Sequence, residues 1–278
     1  MDLLFGLLDA VAVLFVVYCF LVAPNVVRRK LCNRQLTSHD YAHRGLHDKN
    51  VPENSMQAFE RAVQAGYGIE LDVRVSRDNV LVVHHDETLE RSCDDKRRVC
   101  DVSLEDLKQL SLFGTMERIP TFDEVLALVD GRVPLIVELK TDFSNKELAA
   151  QVYERLRRYK GVYCVESFDP FAMRWFKQNA PDVVRGQLSF MPPIKDKPFK
   201  EKLRRLALGY MLINFLSRPD FVAYGYKTDS NLSFRFVANV FRPLLAAWTV
   251  KDEGVYHELQ KYYDIQIFEQ FRAPRRSV

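Results

Sequence analysis

An α/β fold with a mainly parallel sheet, either a closed (β/α) barrel or an open doubly wound sheet, is predicted by three features of this 278-residue chain. Short runs rich in Val, Ile and Leu recur from Thr37 onward. Amphipathic stretches with helical spacing separate them. Several of the runs are nearly continuously apolar, as in strands buried on both faces. With 47% apolar residues the chain can bury a large core, and α/β barrels of about 250 residues form single domains. The formal net charge of +3 argues against a strongly basic nucleic-acid binder.

The first element stands apart. Residues 3–23 (LLFGLLDAVAVLFVVYCFLVA) form an apolar run whose only charge is Asp9. About 20 such residues cross a bilayer as a helix. A cleavable signal peptide would carry basic residues before the run; here Arg28, Arg29, Lys30 and Arg34 follow it. The positive-inside rule then puts the downstream side in the cytoplasm. The competing reading is a buried core helix, disfavoured because the run is apolar all round. The expected layout is an anchor over residues 1–27, a basic juxtamembrane linker over 28–37 and a globular domain over 38–278.

Strand candidates within that domain are residues 40–43, 67–75, 80–84, 133–139, 162–167, 184–188, 209–215, 244–250 and 265–268. The second and third, separated by a tight turn at Asp78-Asn79, read as a hairpin. Ser103 with Asp106, Thr121 with Glu124 and Ser144 with Glu147 have capping-box spacing. Asn54 is a candidate cap for the helix carrying Met56, Phe59, Ala62 and Val63, and Gly66 suits its C-terminal end. The basic stretch 195–205 (KDKPFKEKLRR) reads first as a solvated helix face and second as a contact for anionic lipid head groups. Five cysteines (Cys19, Cys32, Cys93, Cys100, Cys164) lack the paired CxxC spacing of a structural zinc site. Cys93 and Cys100 would pair only in an oxidising compartment.

Polar residues gather at the ends of the apolar runs, where barrel enzymes place their reactive groups. His43-Arg44-Gly45 ends the first run, and Glu70 and Asp72 share one face of the second. His85 follows the third, and Glu138 and Lys140 share a face at the end of the fourth. Three carboxylates buried together call for a cation. An all-oxygen donor set suits one divalent ion, Mg²⁺ or Ca²⁺. Arg44 and Lys140 could grip a phosphate, and two histidines could divide the proton transfers. His84 points to the opposite face from His85 and reads as structural.

In order along the chain stand AHRG (42–45), PENS (52–55), IELDV (69–73), VVHHDETLER (82–91), IPTFDEVL (119–126), VELK (137–140), SFDP (167–170) and AWTV (247–250). This ordered set resembles the motifs of the glycerophosphodiester phosphodiesterase family over most of residues 41–250. The resemblance implies a TIM-type (β/α)8 barrel that hydrolyses glycerophosphodiesters to an alcohol and sn-glycerol 3-phosphate. It further implies that His43 and His85 are the acid/base pair and that Glu70, Asp72 and Glu138 hold the metal. Arg44 and Lys140 would bind phosphate, Glu53 support the metal site or the first strand, and Trp248 pack against the glycerol. Two departures bear on substrate choice: Glu269 in IQIFEQF (265–271) stands where the family carries a Thr-Asp pair, and the loop 92–103 differs. Neither is expected to touch the proposed ligands. A lysophospholipid is the alternative substrate, because the anchor puts bilayer lipid within reach. A non-catalytic membrane-tethered binding module is the remaining reading, disfavoured by the complete set of seven charged or titratable groups.

Overall fold

A computed structural model describes residues 2–25, 34–141 and 147–274. Its centre is a closed barrel of eight parallel strands. These are β1 (Tyr41–His43), β2 (Gly68–Val75), β4 (Leu135–Leu139), β5 (Tyr163–Ser167), β6 (Arg185–Ser189), β7 (Phe221–Gly225), β8 (Leu244–Val250) and β9 (Ile265–Phe268). The sheet closes through β1, which pairs with β9 on one side and β2 on the other. A short antiparallel strand, β3 (Leu81–Val83), pairs with β2 and forms the expected hairpin. Of the two architectures open to the sequence, the closed TIM-type barrel is the one formed.

The alternation within β2 shows why this chain closes. Ile69, Leu71 and Val73 are buried in the outer layer with Phe59, Ala62 and Val63 of α3 (Met56–Ala65) and Phe122, Val125 and Val129 of α6 (Phe122–Val129). Between them, Glu70 and Asp72 point into the barrel. The barrel floor is filled by Tyr41, Ile136, Cys164, Phe221, Ala246 and Ile267. Two interior glycines leave space for rings: a Cβ on Gly68 would lie 2.6 Å from Tyr41, and one on Gly186 2.2 Å from Phe221. This large-against-small filling is the jigsaw a narrow barrel requires. Leu36, in the stretch expected to be a linker, lies in α2 (Arg34–Thr37) and is buried in the floor cluster, its carbonyl accepting from Tyr41 Oη.

Three expectations need correction or lie elsewhere. Residues 209–215 do not form a strand. They are the end of α9 (Phe199–Gly209), a turn with Met211 at φ 56°, and the start of α10 (Asn214–Ser217). The missing barrel strand is β7, just downstream. Nor does Asn54 cap α3: Ser55 does, accepting from Ala58 N, while Gly66 ends the helix at φ 73° as expected. Thr121 and Glu124 form a full capping box, and Ser103 caps Asp106 N. Ser144, Arg28, Arg29, Lys30 and Cys32 lie outside the described residues. Cys19 and Cys93 are free thiols.

The N-terminal run is helix α1 (Asp2–Val22), with 19 residues long and apolar enough to cross a membrane. Leu4 to Val17 expose their large apolar side chains, which rules out the buried core helix. Its C-terminal third is held against the barrel. Asn214 Nδ2 donates to Val22 O, Arg218 Nη1 to Ala23 O, and Asn25 bonds to Pro219 O and Asp220. Higher up, Tyr18 Oη donates to Ser233 Oγ, and Phe15 and Tyr18 pack on Phe236 of α11 (Leu232–Phe236).

Candidate active site

The upper half of the barrel interior is charged where the floor is apolar. Parallel register sets Asp72 beside Glu138 and Glu138 beside Glu166, so successive strands present carboxylates at one level. Glu70, Asp72 and Glu138 are buried and bring one oxygen each within 4.8 Å of one another. Their environments differ. Burial pushes Glu70 well above the ordinary carboxylate range, and Asp72 and Glu138 add to it. Glu138 is pushed up to about 7 by burial, although Lys140 Nζ lies 2.7 Å from Oε1. Asp72 goes the other way. Burial opposes its charge, but Lys140 at 3.1 Å and Arg44 at 3.4 Å outweigh it and hold it well below the usual range. Asn54 Nδ2 also donates to Asp72 Oδ2 at 2.7 Å. Burial pushes two of the three carboxyls of this oxygen-only cluster upwards, and a divalent cation between them would let all three ionise.

Arg44 reaches this cluster through an unusual turn. Both Arg44 (φ 56°) and Gly45 (φ 81°) are left-handed. A Cβ on Gly45 would meet Ala58 at 2.9 Å, so only glycine fits beneath the turn. The turn aims the Arg44 amide at Glu70 Oε2 (3.0 Å) and its guanidinium at Glu53 (2.7 Å). Glu53 is in turn gripped by Arg91, which also binds Asp86. Glu53 therefore braces the two arginines on the rim.

Each predicted histidine has one ring nitrogen fixed by a carboxylate. His43 Nδ1 donates to Glu269 Oε2 at 2.5 Å, and His85 Nδ1 to Asp86 Oδ1 at 2.6 Å. A carboxylate accepts only, so Nδ1 carries the proton in both and Nε2 is left as the reactive atom. Burial lowers both, His85 to about 4, and Glu269 partly offsets this at His43. Glu269 itself lies well below the usual range: burial opposes its charge, but hydrogen bonds from His43 and His47 and the Lys251 ammonium prevail. His84 is buried and structural, donating from Nδ1 to Asp86 O and accepting from Ser92 Oγ. Lys140 stands between Asp72 and Glu138. Trp248 lies on the same rim, edge-on to Phe168 and Phe190. Gly225 on the intervening strand leaves room for Phe190, whose Cβ would be 2.9 Å from an added Cβ.

All nine predicted site residues thus lie at one end of the barrel. The sequence missed Asn54, Arg91, Glu166 and the role of Glu269. The altered last strand nevertheless reaches the site, because Glu269 accepts a hydrogen bond from His43. A carboxylate at the C-terminal end of the last strand was the available signal. Glu166 alternates with Val165 in β5 and is buried, with Oε2 unpartnered among the described residues.

The model of the glycerophosphoryl diester phosphodiesterase family matches residues 43–269. A glycerophosphodiester phosphodiesterase of Caldanaerobacter subterraneus is 38% identical over 161 residues, covering 53% of this chain and 65% of that protein. The chain thus spans just under two thirds of that relative. A glycerophosphodiester phosphodiesterase of Thermotoga maritima superposes with a TM-score of 0.64 at 26% identity, over 83% of this chain and 94% of that one. An Oleispira antarctica phosphodiesterase, solved with the product sn-glycerol-3-phosphate, superposes at 0.67 with 24% identity, over 83% and 92% of the two chains; that likeness is one of fold. By the extent of the family match, this chain belongs to the glycerophosphoryl diester phosphodiesterase family.

Proposed function

We propose that the chain is a membrane-anchored, metal-dependent hydrolase of glycerophosphodiesters, releasing an alcohol and sn-glycerol 3-phosphate. The observation that carries this is the buried Glu70–Asp72–Glu138 cluster faced by two cations and two carboxylate-oriented imidazoles. Membership of the family supports it. Mg²⁺ or Ca²⁺ held by Glu70, Asp72 and Glu138 would supply Lewis-acid stabilisation of charge on the phosphoryl oxygens. Arg44 and Lys140 hold the phosphate by charge-assisted hydrogen bonds. Trp248 lies against the glycerol, with Nε1 lacking an acceptor among the described residues and so available to a substrate oxygen.

Among the described residues the site offers no serine or cysteine nucleophile beside His43 and His85, so the glycerol hydroxyl next to the ester attacks phosphorus. One histidine accepts its proton at Nε2 while the other protonates the departing alkoxide. The cyclic phosphate formed is opened by water with the two roles reversed. The test is turnover of glycerophosphocholine by the full chain in detergent micelles, with and without chelator, beside a diester lacking that hydroxyl. Chelator-sensitive release of glycerol 3-phosphate, with the deoxy diester slower by at least about 10²-fold, is expected. Equal rates on both diesters would replace internal attack by direct attack of water. Metal binding without turnover of any diester would favour a non-catalytic module.

For the anchor we propose an N-out, C-in span with the barrel in the cytoplasm, on the strength of the basic residues that follow α1. A C-terminal reporter enzyme that works only outside the cell should stay silent; activity would reverse the orientation.

A further inference from the structure

We propose that His43, His47 and Glu269 form a second metal site at the barrel mouth, one for Zn²⁺, and that a zinc ion held there switches off turnover. The site stands on its own geometry; its effect on turnover rests on the phosphodiesterase reading above.

The left-handed turn after β1 builds the site. With Arg44 and Gly45 both at positive φ the chain reverses, and His47 N donates to Gly45 O at 2.9 Å. Leu46 N bonds Ala58 O of α3, and Asp48 N bonds Val51 O, so the backbone on either side of His47 is fixed. The reversal carries His47 back beside His43. Glu269, just past β9, comes within reach of both rings. Its Oε2 lies 2.5 Å from His43 Nδ1 and 3.7 Å from His47 Nε2, the second contact being longer than an ordinary hydrogen bond. Each of the three residues offers one ligand atom within 4.8 Å of the others. Tetrahedral zinc, with bonds of about 2.0–2.2 Å, sets its ligand atoms roughly 3.3–3.6 Å apart, so shifts of under about 1 Å admit the ion. Lys251 Nζ holds the other oxygen, Oε1, at 2.5 Å and leaves Oε2 to the rings. The three side chains are at most 15% exposed, so binding has little left to order.

The donor set selects the ion. Two imidazoles and one carboxylate suit zinc, whereas Mg²⁺ and Ca²⁺ take oxygen ligands. The two clusters of the mouth therefore differ in hardness: Glu70, Asp72 and Glu138 offer oxygen alone, and the second set offers two nitrogens. The consequence for catalysis is tautomeric. Without the ion, His43 carries its proton on Nδ1 and presents the lone pair of Nε2. An ion on Nδ1 takes the lone pair there, so the neutral ring carries its proton on Nε2 instead. The proton changes nitrogen and none is lost. Nε2 then has no lone pair with which to accept a proton, and the exchange of acid and base roles with His85 stops.

The test titrates Zn²⁺ into the full chain in detergent micelles saturated with Mg²⁺, following binding by calorimetry and glycerophosphocholine turnover, beside His47→Gln. The wild type should bind zinc and lose turnover in step with it. His47→Gln should weaken zinc binding and zinc inhibition together by at least about tenfold, since losing a ligand costs at least as much as losing its support. Its zinc-free turnover should stay within about twofold of the wild type. Inhibition that His47→Gln leaves unmoved would put the ion in the carboxylate cluster and overturn the site, as would a wild type that binds no zinc. Should the variant fail to fold, Co²⁺ in place of Zn²⁺ decides on the wild type. Intense visible bands of tetrahedral cobalt, abolished by zinc, support the site; only the weak bands of octahedral cobalt overturn it. Zinc binding that depends on His47, in a protein that never hydrolyses glycerophosphocholine, would uphold the site and overturn the phosphodiesterase reading alone.

Discussion

Replacing His43 with alanine should lower glycerophosphodiester turnover by about 10²–10⁴-fold, the usual contribution of a positioned acid or base. The ring is fixed at Nδ1 by Glu269 and its Nε2 lies 3.9 Å from Glu70 Oε2, at the edge of the carboxylate cluster. Glu269→Gln keeps the shape but removes the charge that fixes the tautomer. Its cost should be smaller, on the order of 10–100-fold, as for other carboxylates that orient a functional histidine. The sign of its pH effect follows from the electrostatics. Glu269 raises the pKa of His43 against the lowering effect of burial, so its loss lowers that pKa further. The limb of the pH–rate profile that reports His43 should then move to lower pH. Full-length protein assayed across the pH range decides the matter: an active His43→Ala removes the acid/base role, and an unmoved limb in Glu269→Gln removes the coupling.

Glu70→Gln should weaken metal binding by more than the roughly 10–100-fold typical of groups that only support a ligand, and turnover should fall with it. Glu166→Gln is the control. Burial and the neighbouring Glu138 hold Glu166 well above the ordinary carboxylate range, which favours its neutral form, and its amide is nearly isosteric with that form. Its effect should stay within about threefold. Metal affinity should also rise with pH. Glu138, pushed up to about 7, is protonated below that value and must lose its proton to act as a ligand. Binding between about pH 6 and 8 should therefore tighten and release protons. Calorimetry in two buffers of different ionisation enthalpy reads both; no proton release would exclude Glu138 from the ligand set.

Most of the barrel was readable because its strands are short, apolar and separated by marked helix starts. The exception is instructive. Residues 209–215 (GYMLINF) are as apolar as a strand, but their burial comes from packing α10 against α8 (Pro170–Asn179) and α1. Periodicity cannot separate a buried strand from a short buried helix. The true strand, FVAYG, is only five residues long and follows turn residues Arg218-Pro219-Asp220, so it left a faint trace. The charged cluster was legible for a different reason: an E-x-D pair in a strand forces both side chains to one side. What period and motif could not supply was contact between distant strands. Glu269 stands 226 residues from His43. Its meaning depends on barrel closure, which is a property of topology. Asn54 had a plausible local role as a cap, and its left-handed backbone (φ 54°) diverts it to Asp72 instead.

Closure by β9 has a consequence for biosynthesis. The strand that seals the barrel against β1 also delivers Glu269, held there by its amide bonding to Val250 O. A ribosome adding roughly 5–20 residues per second needs on the order of 10–50 s to pass from His43 to Glu269. Throughout that interval the first seven barrel strands have an open seam, and His43 lacks its carboxylate. A nascent chain therefore carries His43 without its orienting carboxylate until the end, and the arrangement is completed in one step with the last strand.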